Sequence, residues 1–182
     1  MSRIPTPATV AAAPEASQSF LNAVNEQLGS VPNLFRIVSN SPAALEGYLG
    51  LNGALGKGSL DSKTRERIAL AVAQINGCDY CLAAHTYMGS NLAKLSDEEI
   101  AANRNGTSTD DKAAIAVTFA TNIVNSRGQV SAAAVQAVRD AGYSDAEVVE
   151  IVAHVALNTL TNYVNEALGT AIDFPAAESI AA

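Results

Sequence analysis

The sequence predicts an all-α, single-domain helical bundle, and three observations support that prediction. Hydrophobic residues make up 48% of the 182 residues but aromatic residues only 5%, a composition typical of closely packed, alanine-rich helices. No stretch alternates as a β-strand does, and cap residues punctuate the helical segments. A chain of this length fits one domain with a sizeable core.

Along the chain we expect three parts: an extended Pro- and Ala-rich arm over 1–14, a helical domain over 15–175 and a short tail over 176–182. A partner subunit is expected to order the arm. The predicted helices are Glu15–Leu28, Pro32–Ser39, Pro42–Gly56, Ser62–Asn76, Cys78–Lys94, Asp97–Asn103, Asp110–Arg127, Ala132–Ala141 and Asp145–Leu168.

Several of these ends carry recognisable signals. Ser41 stands before a first-turn proline, and glycines suit the ends of two later helices. Two capping boxes are predicted, in which a serine and a glutamate three residues later satisfy each other's backbone donors: Ser96 with Glu99, and Ser144 with Glu147.

Charge and hydropathy exclude several functions. The net charge of −7 and pI near 4.7 leave no basic patch for a phosphate backbone, so nucleic acid is not an expected partner. No apolar run approaches the roughly 18 residues of a membrane span, and the first residues lack a compact signal core. We expect a cytoplasmic protein, where two thiols stay reduced and available.

The most informative stretch is ERIALAVAQINGCDYCLAAH, residues 66–85. If one helix carries Cys78, Cys81 and His85, the three side chains fall within roughly a 60° arc. The Asn76-Gly77 pair signals a turn, so we expect this helix to begin at Gly77 or Cys78. Both sulfurs would then lie in its first turn, where backbone N–H groups and the dipole stabilise a thiolate.

A lowered thiol pKa would still not suffice for fast chemistry. A shift from about 8.5 to about 6 raises the thiolate fraction at pH 7 about 30-fold. The less basic thiolate is roughly tenfold less nucleophilic, however. A positioned acid must therefore protonate the leaving oxygen.

Glu66 is the candidate for that proton relay, together with His85. It shares a helix face with Ala69, Leu70 and Ala73, so its carboxylate should be partly removed from water. The relay requires the two helices to fold back at Asn76-Gly77. In the other interpretation Glu66 is an early-helix charge favoured by the dipole and paired with Lys63.

The two cysteines also admit other roles. A disulfide across this spacing is strained and therefore easily reduced, which suits a catalytic pair. Cys78, Cys81 and His85 could instead bind a metal, with Glu66 or His154 as a fourth ligand, although zinc sites usually draw on two separated pairs. The thiols could also be inert and buried.

The last helix carries a polar stripe at steps of three or four: Glu147, Glu150, His154, Asn158, Thr161 or Asn162, and Asn165. Such a stripe is typical of a solvated face. A subunit contact or a pocket wall is the alternative. His154, between apolar neighbours, is expected to be hydrogen-bonded scaffold.

The chain resembles the alkylhydroperoxidase and carboxymuconolactone decarboxylase-like superfamily, in its peroxidase-related branch. The family pattern of a glutamate, an alanine-rich helix and then Cys-x-x-Cys-x-x-x-His is met by Glu66, Cys78, Cys81 and His85. The resemblance continues through GSVPNLFRIVSNSP (29–42) and NTLTNYVNEALGTAIDFP (158–175), and so covers most of the chain.

This resemblance implies a thiol-dependent peroxidase that reduces hydroperoxides through a disulfide cycle, without a cofactor or metal. In the family the second cysteine attacks the peroxide and the first resolves the sulfenic acid, which maps to Cys81 and Cys78. The electrons would come from an unidentified thiol or dithiol reductant, and a homo-oligomer, trimer or hexamer, is expected. The decarboxylase branch does not use a paired cysteine, which argues against a carboxymuconolactone decarboxylase-type enzyme.

The sequence departs from the family at one position. The best-studied peroxidases have a histidine immediately before the second cysteine, where this chain has Tyr80. A phenol titrates near 10, so it cannot replace imidazole as a base near neutrality. Weaker or differently coupled turnover is expected.

Overall fold

The computed structural model describes residues 2–177. In that range the chain is all helical, without strands, which confirms the predicted fold class. The helices are α1 (Glu15–Leu28), α2 (Asn33–Val38), α3 (Pro42–Leu55), α4 (Ser62–Ile75), α5 (Asp79–Asn91), α6 (Asp97–Arg104), α7 (Asp111–Ser126), α8 (Ala132–Asp140) and α9 (Asp145–Leu168). No helix between residues 2 and 177 combines the length and hydrophobicity needed to cross a bilayer.

Helix α4 is the central helix, and it packs against α5, α6, α7 and α9. Residues 68–73 are each at most 2% exposed, because neighbours cover this helix on all sides. An apolar run without a wet face is the sequence pattern that such a position requires. The first turns of α4, before this run, present Arg65 and Glu66 to the candidate site.

The ends of the helices agree closely with the sequence, with two instructive differences. Helix α5 ends at Asn91 rather than at Lys94, which adopts a left-handed φ of 57° that no α-helix can continue. The capping box at Ser144 and Glu147 is present. At Ser96 only half of the box forms: its hydroxyl accepts from Glu99 N, but the Glu99 carboxylate is bonded elsewhere.

The Glu99 carboxylate connects α6 with α4 and with the segment that follows α6. It pairs with Arg67 of α4 at 2.6 Å and accepts hydrogen bonds from Ser108 and Thr109 after α6. Glu99 is 4% exposed. Burial by itself would raise the pKa of Glu99, but the hydrogen bonds from Ser108, Thr109 and Asn103 lower it to about 2.

The N-terminal arm is fastened to its own chain. Arg3 donates to backbone carbonyls at the end of α9, and Arg36 and Asn40 donate to carbonyls of the arm. These bonds hold the arm, whereas the sequence led us to expect a partner subunit there. Met1 of the arm and 178–182 of the predicted tail lie outside the described residues, and the division into arm, domain and tail stays a prediction.

Candidate functional site

The turn between α4 and α5 builds the centre of the site. Gly77 adopts a φ of 65°, a conformation that glycine accepts without strain, and Cys78 N donates to Ala73 O at 3.0 Å. The two helices therefore fold back on each other at Asn76-Gly77, as the relay required. Helix α5 begins one residue later than predicted, because the backbone of Cys78 is used to terminate α4.

Cys78 is consequently the N-cap of α5, not part of its first turn, and the expectation that both sulfurs lie in that turn is wrong. Its backbone is extended, and its Sγ accepts a hydrogen bond from Cys81 N at 3.3 Å. Cys81 lies inside the first turn. Both residues are free thiols, and Cys78 is 0% exposed.

The sulfur of Cys81 is surrounded by hydrogen-bond donors. The hydrogen bond from the Cys78 thiol, the positive charge of His85 and the amides of Asn165 and Asn162 lower the pKa of Cys81 to about 6, although burial opposes the shift. Asn165 Nδ2 donates to Sγ at 3.2 Å. The hydrogen bond between the two cysteine side chains, together with burial, raises the pKa of Cys78. The pair therefore holds its negative charge on Cys81 and its proton on Cys78.

His85 and Glu66 form the predicted contact. His85 Nδ1 lies 2.9 Å from Glu66 Oε2, and the side chains are 18% and 21% exposed. Burial by itself would lower the pKa of His85, but the charge and hydrogen bond of Glu66 raise it. Glu66 is thus an ion-pair partner of His85 across two helices, and the Lys63 interpretation is not needed.

A cavity of about 600 Å³ opens beside these residues. Cys81, His85 and Glu66 line it, whereas Cys78 does not. Much of the remaining wall is apolar or aromatic, and it includes Phe35, Tyr48, Tyr80, Met88 and Phe174. A ligand in this cavity would meet one of the two sulfurs, with an acid–base pair beside it.

The polar stripe of α9 forms part of this site, and its interpretation as a solvated face is wrong from His154 onward. Exposed fractions there are between 0% and 7%, for His154, Asn158, Thr161, Asn162 and Asn165. Hydrogen bonds offset part of the cost of burying these neutral groups: Asn158 donates to His154 O, and Asn76 donates to Asn162. The stripe is the pocket wall that the sequence left as an alternative.

The sequence therefore did not lead us to predict that the side-chain amides of Asn162 and Asn165 contact Cys81. A signal was present in the sequence: after Glu150 the stripe carries no acid or lysine until Glu166, whereas solvated helix faces usually carry charges. Of the two glutamates at the beginning of the stripe, Glu147 belongs to the capping box. Glu150 accepts hydrogen bonds from Ser59 N and Leu60 N at 2.9 Å each.

His154 differs from the expected scaffold histidine. It lines the cavity, and its Nε2 is buried without a hydrogen-bond partner among residues 2–177. Burial, together with the positive charge of Arg65, lowers the pKa of His154. It is therefore a neutral imidazole at the cavity wall.

Tyr80, which stands where the family has a histidine, fixes the neighbouring helix. Its hydroxyl accepts from Leu34 N at 3.1 Å, and its ring packs edge-on against Phe174 with centroids 5.8 Å apart. Burial raises the pKa of Tyr80. The phenol therefore offers no base near neutrality, in agreement with the sequence argument.

The metal-binding alternative gains no support from this arrangement. Across the described residues no three His, Cys, Asp or Glu side chains are grouped so as to hold an ion. The Cys78 sulfur caps α5, and His85 is engaged by Glu66.

Comparison with known proteins agrees with this fold and motif. The sequence model of the Carboxymuconolactone decarboxylase family matches residues 42–118, which include Glu66, both cysteines and His85. An uncharacterised protein of Haemophilus influenzae is 49% identical over 45 residues. That match spans 24% of this chain and only 40% of the relative's length.

Two solved structures are similar over nearly the whole chain. One is described as an alkylhydroperoxidase AhpD core, an uncharacterised peroxidase-related protein from Ralstonia eutropha JMP134; it is 26% identical with a TM-score of 0.84, covering 94% of this chain and 92% of that one. The other is the debrominase Bmp8 in complex with 2,3,4-tribromopyrrole, at 20% identity and a TM-score of 0.76, covering 95% and 94%. The matched family model, the motif inside it and the similar peroxidase-related structure together support a place for the chain in the alkylhydroperoxidase and carboxymuconolactone decarboxylase-like superfamily.

Proposed function

We propose that this protein is a thiol-dependent peroxidase that reduces organic hydroperoxides. One observation carries the proposal: of the two sulfurs, the one with the lowered pKa, Cys81, lines the cavity beside a His85–Glu66 pair, and its proton-bearing partner Cys78 lies behind it. This is the order of roles that the family resemblance implies.

In the first step the Cys81 thiolate attacks the outer oxygen of the hydroperoxide. The O–O bond breaks, the sulfur becomes a sulfenic acid, and the leaving alkoxide takes a proton from His85 and departs as the alcohol. Glu66 keeps His85 protonated before the step. In the second step the Cys78 sulfur attacks the Cys81 sulfur and gives up its proton, the sulfenic hydroxyl takes that proton and leaves as water, and a disulfide remains. A cellular thiol or dithiol then reduces the disulfide by exchange.

The magnitudes explain why the relay matters. A pKa of about 6 rather than 9.0 raises the thiolate fraction at pH 7 from about 1% to about 90%. The same shift lowers intrinsic nucleophilicity by roughly 15- to 30-fold. Only a few-fold gain is left, so protonation of the leaving oxygen must supply the rest.

The deciding experiment uses single turnovers with stoichiometric cumene hydroperoxide and no added metal. The wild type should lose both free thiols and release the alcohol. Cys81→Ser should lose the fast step, and Cys78→Ser should accumulate a sulfenic acid that dimedone traps. If Cys81→Ser consumes the peroxide as fast as the wild type, the assignment is wrong.

The aromatic wall of the cavity supports a second candidate, reductive dehalogenation, the activity named for the structurally similar debrominase. In that reaction the Cys81 thiolate takes the bromine from an aromatic carbon, and the carbon takes a proton from His85. The Cys78 thiol then attacks the brominated sulfur, which yields bromide and the same disulfide beside the reduced ring. Bromide release from a bromopyrrole, measured beside alcohol release from the hydroperoxide, separates the two reactions. In either case we propose the cytoplasm as the place of action, because its thiol pools can reduce the product disulfide.

A further inference from the structure

The cavity beside Cys81 extends along α3 toward the end of that helix. The cavity-lining residues of α3 and its C-terminal cap share one helix face: Tyr48, Leu49, Asn52, Gly53 and Gly56. Burial raises the pKa of Tyr48, and the nearby charges of Cys81 and Glu66 raise it further, so Tyr48 marks the reactive end of the cavity. From Tyr48 to Gly56 the helix rises about 12 Å. The cavity therefore has a far end, beside Gly56, that the reaction itself does not use.

The far end holds two positively charged side chains, Arg65 and Lys57, which both line the cavity. Arg65 Nη1 donates to Leu55 O at 3.2 Å and to Gly56 O at 2.7 Å, so both bonds use the same nitrogen. Within residues 2–177 the Nε and Nη2 groups of Arg65 have no hydrogen-bond partner, and neither cation forms an ion pair. One edge of the guanidinium is thus left for a ligand.

The order of the side chains along α4 and α5 separates the two ends. Cys81 precedes His85 by four residues, about 6 Å along α5, whereas Arg65 precedes Glu66 by one residue along α4. Because the two helices fold back on each other at Gly77, Cys81 and Arg65 lie on opposite sides of the ion pair between Glu66 and His85. A ligand that reaches both must pass this pair and span on the order of 10 Å.

The charges along the cavity favour an anion at its far end. At the reactive end the negative charges of Cys81 and Glu66 are opposed by the positive charge of His85. In the part of the chain that the structure describes, no acid lines the far end. His154 is neutral there, since burial and the charge of Arg65 lower its pKa. In a chain with a net charge of −7, this end of the cavity is a local site of positive potential.

Glu150 of α9 supports the far end without lining it. Its two carboxylate oxygens accept hydrogen bonds from Ser59 N and Leu60 N, and it is not part of the cavity wall. These bonds fix the segment that directly follows Lys57. The carboxylate therefore holds Lys57 beside the cavity and leaves the cavity-facing edge of Arg65 uncovered.

We propose that Arg65 and Lys57 form a carboxylate subsite, and that the hydroperoxide reduced by this protein carries a carboxylate at the end away from its peroxide. The Nε–H and Nη2–H groups of Arg65 match the two oxygens of one carboxylate, and Lys57 adds a point charge. The apolar wall between the ends takes the body of the molecule. The peroxide end of this inference rests on the proposed function; the carboxylate takes no part in the reaction and leaves unchanged on the hydroxy acid.

Calorimetry without peroxide tests the subsite. 4-Phenylbutanoate and 4-phenylbutanol share an apolar body and differ in the anionic group, so the acid should bind at least about tenfold more tightly than the alcohol. Added salt should reduce this preference. Arg65→Gln should reduce it to below about threefold, because the fork that holds both carboxylate oxygens is lost.

Lys57→Gln is the second variant, because Arg65 also binds the end of α3 and its replacement can unfold the protein. Lys57 is exposed, and its loss should lower the preference for the acid by about two- to fivefold. Lys63→Gln is the matched control: it removes the same charge from an exposed residue that does not line the cavity, and should keep the wild-type preference. Equal affinity of the wild type for acid and alcohol would overturn the subsite. So would the wild-type preference in a folded Arg65→Gln or, if that variant does not fold, in Lys57→Gln.

Single turnovers test the substrate class. Cumene hydroperoxide with a carboxylate in the para position should react at least about tenfold faster, at subsaturating concentration, than its methyl ester, and Arg65→Gln should lower this ratio. Equal rates for the acid and the ester would overturn the substrate class and leave the peroxidase proposal intact. If neither compound is reduced, the proposed function is wrong and the substrate class with it, whereas calorimetry still decides whether the carboxylate subsite exists.

Discussion

The Cys78 thiol should hold down the pKa of Cys81, and this can be measured directly. Its hydrogen bond is the largest contribution that lowers that pKa to about 6. Cys78→Ala removes the donor. Hydrogen bonds to charged groups contribute about 1.5 to 3 kcal/mol, and one pKa unit corresponds to about 1.4 kcal/mol, so the pKa should rise by about 1 to 2 units.

Cys78→Ser is the matched control, because its hydroxyl keeps a donor at the same cap position and it should titrate close to the wild type. The chain has two cysteines, so each variant leaves Cys81 as the sole thiol. The pH dependence of thiolate absorbance and of alkylation by iodoacetamide reports its pKa without any peroxide.

At pH 7 the thiolate fraction should fall from about 90% to between about 10% and 50% in Cys78→Ala. Helix content measured by circular dichroism should be unchanged in both variants. If Cys78→Ala and Cys78→Ser titrate together, the thiol hydrogen bond does not set the pKa of Cys81. If the wild type titrates near the unperturbed value of about 8.5, the whole account of the thiolate is wrong.

Three further predictions concern the relay, the cavity and the fold. Glu66→Gln and His85→Gln should each slow peroxide reduction by about 10²-fold or more, with helix content unchanged. If Glu66→Gln is fully active, Glu66 has only a structural role. Ala84→Phe, which places a ring in the cavity beside Cys81, should slow cumene hydroperoxide at least tenfold more than hydrogen peroxide; equal slowing would show that the cavity does not bind the organic group. Because the pKa of Glu99 is lowered from 4.5 to about 2, its stabilisation, on the order of 3 kcal/mol, is fully present above pH 4.5 and is lost as the pH falls toward 2. Urea unfolding should therefore show Glu99→Gln less stable than the wild type at pH 7, with a gap that narrows in that window; a gap independent of pH would contradict the argument.

The sequence alone determined where the helices lie along the chain and that Glu66 meets His85 at the site. Cap residues such as Ser41 and Ser144 act locally, so they locate helix ends without knowledge of the rest of the fold. Glu66 and His85 lie on two helices that are joined by a tight turn. Helices joined in this way pack against each other. The contact between Glu66 and His85 could therefore be predicted.

The tertiary structure decided the rest. Helical periodicity divides α9 into a polar and an apolar face, but it does not say which face points inward. That choice depends on the partners that other segments supply: Cys81 and Asn76, more than 80 residues away in sequence, provide hydrogen bonds for Asn165 and Asn162. Cys78 became a cap rather than a helical residue because its backbone N–H was needed to end α4. Short-range patterns specify segments, whereas the burial of polar groups is settled only when distant donors and acceptors meet.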